Sequence, residues 1–154
     1  MAEIQSLVTP TGFGNPRRMS SGIDINRLLL MIAVLEKRAR LNLSNSDVYI
    51  NVAGGLRIDE TAADLGICAA IASGQCDVSL PPDVVFIGEV GLGGELRAVS
   101  QLEKRIAEAA KLGFKSAVVP KQSLKGIKIP DGFSAYGAKS VTETVNLIRR
   151  KKQS

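Results

Sequence analysis

Apolar residues in this chain recur with two different periods, and the two alternate along its length. Ile25, Leu28, Leu29, Ile32 and Leu35 fall at helical spacing, while Val48, Ile50 and Val52 alternate as in a strand with one buried face. Glu3 to Thr9 reads as a strand and Thr11 to Gly22, rich in Gly, Pro and Ser, as a loop or irregular hairpin. Asp24 to Arg40 is expected to be an amphipathic helix whose Lys37, Arg38 and Arg40 suit its C-terminal end. Asp47 to Val52 is a strand broken by Gly54-Gly55. A small-residue helix follows from Glu60 to Ser73, with Asp59 as N-cap and Gly74 just past its end. Val84 to Val90 reads as one strand, turned at Gly93-Gly94 into Glu95 to Val99 as a hairpin. Ser100-Gln101-Leu102-Glu103 has the form of a capping box opening a helix that Gly113 ends. A short strand from Ser116 to Val119 stops at Pro120, a basic loop runs from Lys121 to Gly132, and Phe133 to Gly137 forms a last strand. A second capping box, Ser140 to Glu143, opens a final helix to about Arg150, and residues 149–154 form a frayed basic tail. Hairpin pieces and helices interleave without a repeat or linker. This order predicts a single α+β domain over residues 1–154, not a plain doubly wound parallel sheet.

Aromatic residues make up 4% of the chain and Trp is absent, so Val, Ile, Leu and Ala must build the core. The longest apolar run, Leu28 to Leu35, is far too short to span a bilayer. Glu3, Gln5 and Ser6 interrupt the opening segment, which excludes a secretory leader there, so a cytoplasmic protein without a membrane partner is expected. Cys68 and Cys76 are too widely spaced for a metal site, and no His exists to complete one, so both are expected to be reduced thiols. The lack of His also excludes Ser-His-Asp and Cys-His machinery. A Ser-Lys dyad or a carboxylate pair remains open. The net charge of +5 is compatible with a phosphate backbone as partner.

Four ordered segments resemble the proteolytic domain of Lon: Thr11-Gly12-Phe13-Gly14 with the long helix after it, Asp47 to Val52, Pro82 to Val90 with Leu92, Gly94 and Leu96, and Leu102 through Lys121. Asn51 to Arg57, Glu60 to Leu65 and Gly88 to Arg97 resemble one branch more closely, the C-terminal Lon-like domain of the RadA (Sms) family of bacterial DNA repair proteins. The resemblance implies a Lon proteolytic-domain-like fold (ribosomal protein S5 domain 2-like), with mixed sheets and packed helices. It also implies a zinc finger and a RecA-like ATPase outside this chain, so that ATP, Mg and Zn belong to those segments and no cofactor to this one. Neither a four-Cys cluster nor a GxxxxGK[ST] phosphate loop occurs here.

The Lon serine falls at Ala62 and the Lon lysine at Glu103, so both members of the dyad are absent at their places. Thr61, Ser100 and Lys104 are the nearest substitutes for a rearranged Ser/Thr-Lys peptidase. The resemblance further implies a homo-oligomer, a hexameric ring, and in the full-length context a RecA-type recombinase as partner and ATP-dependent branch migration as the activity. Among the basic clusters, Arg17, Arg18, Lys104, Arg105 and Lys121 are the candidates for double-stranded or branched DNA. Few aromatics are present to stack on bases, so backbone contact without sequence readout is the expected form. Three functions follow: a non-proteolytic scaffold and DNA-binding domain, an oligomerisation module that never touches DNA, or a residual peptidase.

Overall fold

The computed structural model describes residues 3–55 and 58–153, with side chains described through Arg150. Met1, Ala2, the motif residues Leu56 and Arg57, and the tail side chains from Lys151 on lie outside the described residues. In chain order the elements are β1 (Ile4–Pro10), β2 (Arg18–Ser21), α1 (Ile25–Arg38), β3 (Ser46–Val52), α2 (Asp64–Cys76), β4 (Val84–Phe86), β5 (Glu89–Val90), β6 (Leu96–Arg97), α3 (Leu102–Lys111), β7 (Ser116–Pro120), β8 (Ser134–Ala138) and α4 (Val141–Gln153). The architecture is mixed α+β, as the alternating periods require.

The first sheet has the order β1-β3-β2. β1 is antiparallel to β3, with Val8 opposite Val48, and β2 is parallel to it. Val48, Ile50 and Val52 are all buried, as their alternation demands. The segment expected to be a loop contains β2. Its strand forms because Asp47 Oδ1 accepts bonds from both the Arg17 amide (2.7 Å) and the Thr11 hydroxyl (3.0 Å), closing the loop and laying residues 18–21 along β3. The Arg17 amide holds the Asp47 carboxyl below its ordinary range, so this tie loosens only as pH falls through that depressed value.

α1 starts where Asp24 accepts from the Asn26 amide at 2.9 Å. Its buried stripe is Leu28, Met31, Ile32, Val34 and Leu35, and the expected core residues Ile25 and Leu29 are 40% and 43% exposed. α2 also departs from expectation. A 3₁₀ turn, Thr61–Ala63, precedes it, Asp59 does not cap it, and Gly74 lies inside it. Gly74 faces β1, where a Cβ would stand 2.9 Å from Val8 Cγ2. Close packing offsets the weak helix propensity of glycine there, and the helix ends at Asp77 in the left-handed conformation.

The second sheet, β4-β7-β8, is wholly parallel, and β5 and β6 form a separate antiparallel hairpin. The expected single strand from Val84 to Val90 splits because Gly88 turns to α2, donating to Ala62 O and accepting from the Leu65 amide. Val118 joins the larger core with α1, α2 and α4, while Ala117 and Val119 join a smaller one under α3. The second capping box forms: Ser140 Oγ accepts from the Glu143 amide (3.2 Å), and Glu143 reaches back to the Lys139 amide (3.0 Å). The first does not. Gln101, at φ 57, turns Ser100 away from the cap position, and Glu103 instead accepts from the Lys128 amide at 2.8 Å. No helix among the described residues is long and apolar enough to cross a membrane.

Cys68 is fully buried with Sγ 3.6 Å from Met31 Sδ, and burial pushes its thiol far up from its ordinary value. Cys76 is half-buried. A thiol reagent in mildly alkaline buffer is expected to label Cys76 in the native protein and Cys68 only after denaturation, read by peptide mass mapping. Equal native labelling would contradict the burial.

Candidate functional site

The chain around Ala62 is knitted to the strand after β4 by three hydrogen bonds. Gly88 N donates to Ala62 O (2.9 Å), Leu65 N to Gly88 O (3.0 Å), and Val90 N to Asp64 Oδ2 (3.0 Å). Asp64 is 1% exposed and also receives the Arg27 guanidinium, with Nε 2.8 Å from Oδ1 and Nη2 on Oδ2. This two-pronged pair joins α1 to the first turn of α2, where a carboxylate also suits the helix dipole. The Asp64 bond raises the Arg27 pKa above its ordinary value. A cleft of about 150 Å³ lies over the pair, lined in part by Asp24, Ile58 and Thr61.

Ala62 lies on the floor of a larger groove of about 860 Å³ between the edge strands β1 and β4. Its methyl packs in the smaller core and can attack nothing. Thr61, Ser100 and Lys104 are exposed, and no hydrogen bond among the described residues joins either hydroxyl to the lysine. Glu103 holds the basic loop against α3, so its work is to fasten that loop and not to cap the helix.

The candidate DNA residues fall in two places. Arg18 is half-buried and donates to Leu43 O (2.8 Å) and Ser46 O, which makes it a tie between β2 and the chain entering β3. Arg17 beside it keeps an exposed side chain. Arg105 is at the other end of the first sheet. Ile58 N donates to Gly22 O beyond the end of β2, and Arg105 pairs with nearby Glu60 at 3.0 Å while also donating to Ser100 O. Lys104 is exposed next to it on α3, and Glu103 brings the loop bearing Lys125 and Lys128 to the same helix. Lys121 opens that loop at the end of β7.

Arg27 and Asp64 were not singled out by sequence reasoning. Their signal is a lone cation in the apolar run of α1 and a lone carboxylate among Ala62, Ala63 and Leu65. Each is costly to bury alone, and together they are matched. Among the described residues no group of three or more His, Cys, Asp or Glu is placed to hold a metal ion.

A family model described as subunit ChlI of Mg-chelatase matches residues 30–123, from within α1 to beyond β7. The chain belongs to that family. Curated relatives carry the name DNA repair protein RadA. The Bacillus subtilis (strain 168) protein is 52% identical over 145 residues, 94% of this chain and 32% of the relative. Those of Streptococcus pyogenes serotype M1 and Halalkalibacterium halodurans are 49% and 48% identical over 148 and 147 residues, each 96% of this chain and 33% and 32% of the relative. The resemblance to RadA drawn from the sequence motifs is thereby borne out. The chain spans about a third of the length of the curated relatives it matches.

Proposed function

We propose that this chain is a Lon-like domain without peptidase activity in a RadA-type DNA repair protein, acting in the cytoplasm as a scaffold that assembles into a ring and contacts duplex or branched DNA. ATP-dependent branch migration, with its ATP, Mg and Zn requirements and any recombinase partner, is assigned to the rest of such a protein. One observation carries the reading: relatives about half identical over nearly the whole chain are named DNA repair proteins. Ala62 at the expected nucleophile position supports the loss of chemistry.

Phosphate contact is expected from α3 and the adjoining loop, since Arg18 is engaged with backbone carbonyls and Arg105 with Glu60. In gel-shift titrations on a duplex, Lys104→Ala and Lys128→Ala should each weaken binding and lower the salt slope by about 1, whereas Arg18→Ala should lower stability more than affinity. Absence of salt-sensitive binding at low ionic strength would overturn the DNA assignment in favour of assembly alone. Casein should remain uncut. Hydrolysis abolished by Thr61→Ala would restore the peptidase reading.

A further inference from the structure

Phe13 is the most exposed large apolar residue described, at 101% of its reference area. Its loop is nevertheless held at both ends. Thr11 N donates to Asn45 O (2.8 Å), and Asp47 accepts from both Thr11 and Arg17. Gly12 and Gly14 flank the ring, and a Cβ on either would meet nothing within 4 Å. An aromatic side chain presented on a fastened loop, beside the exposed cation Arg17, has the form of a knob projecting away from its own chain.

A matching socket lies at the other end of β1. The groove between β1 and β4 is walled by Ile4, Leu80, Val84 and Phe86, floored by Ala62 and Ala63, and among the described residues has the carboxylates Glu3 and Glu60 at its margin, Glu60 paired with Arg105. The knob follows Pro10 and the socket begins at Glu3 and Ile4, so the length of β1, about 20 Å, separates them. Apolar ring meets apolar wall, and basic flank meets acidic margin.

We propose that the Phe13 loop of one copy seats in the β1–β4 groove of the next, with Arg17 against Glu3 and Glu60. Knob and socket are different surfaces at opposite ends of the sheet, so the contact is head-to-tail and propagates into a ring or filament. This rests on the reading of the chain as a self-assembling scaffold, and it names the surface by which copies join.

The test is sedimentation velocity on the whole chain and two variants, with folding checked by circular dichroism. Phe13→Ser removes the knob, and Ala63→Trp fills the socket. Each alone should weaken self-association about 30-fold or more, the size expected of a central apolar anchor. An equimolar mixture retains one intact knob and one intact socket and should form a heterodimer that stops there. If the unaltered chain stays monomeric at all concentrations, the scaffold reading fails and this contact with it. If it assembles and Phe13→Ser assembles equally well, only this contact is overturned. Two monomeric variants that do not combine on mixing would overturn it in favour of a two-fold contact. Should Ala63→Trp not fold, charge reversal decides: Arg17→Glu and Glu3→Lys must each weaken association, and the double variant must recover it.

Discussion

Asp64→Ala is expected to lower the unfolding free energy by about 3 kcal/mol, the largest single-site loss outside the apolar core. The substitution strands the Arg27 guanidinium, which is only 30% exposed, and leaves the Val90 amide without its acceptor. It also removes the carboxylate from the first turn of α2. For a chain of this length the melting temperature should fall by roughly 6–12 °C. Denaturant titration of Asp64→Ala, Arg27→Met and the double variant Arg27→Met/Asp64→Leu apportions the effect. The double variant should recover most of the loss, because an apolar pair of similar volume replaces the ion pair without leaving an unmatched charge. A loss below about 1 kcal/mol for Asp64→Ala would mean that water, not Asp64, satisfies Arg27.

Gly94→Ala should cost about 2–3 kcal/mol, from two causes that can be separated. Gly94 has φ +83, and an added Cβ would stand 2.9 Å from Arg38 Cβ and 3.4 Å from Val141 Cγ1. The Gly94 carbonyl accepts from the Val141 amide at 2.7 Å, so the turn cannot retreat without breaking the start of α4. Gly126 has nearly the same φ, +77, with nothing within 4 Å of an added Cβ. Gly126→Ala therefore reports the left-handed strain alone, about 1–2 kcal/mol, and the difference between the two variants is the contact with Arg38. Equal losses would show that the hairpin yields freely.

Much of the fold was legible because its signals are local. The apolar alternation in β3 and the Ser140–Glu143 box each depend on neighbours within a few residues, and each formed. The departures have non-local causes. Gly74 looks like a helix terminator until β1 lies against it, and Ser100-Gln101-Leu102-Glu103 looks like a cap until the Lys128 amide competes for Glu103. Ile25 and Leu29 match the helical period but face away from the core, because a period alone fixes no rotation of the helix about its axis.

The candidate site divides in the same way. That Ala62 bears no hydroxyl and Glu103 no ammonium follows from residue identity, which no folding can alter. That Arg27 meets Asp64 across 37 positions, that Arg18 spends its guanidinium on backbone carbonyls, and that Arg17 and Arg105 lie at opposite ends of one sheet were decided by the tertiary structure. The amino-acid sequence by itself determined which side chains stand at positions 62 and 103, the alternation of helix and strand, and the aliphatic core. Tertiary packing decided which charges are matched, which cations stay free, and where an exposed aromatic stands relative to a groove. The physical reason is range: propensity, period and capping act within a turn or two, whereas desolvating a charge or crowding a Cβ depends on partners that only the closed fold brings near.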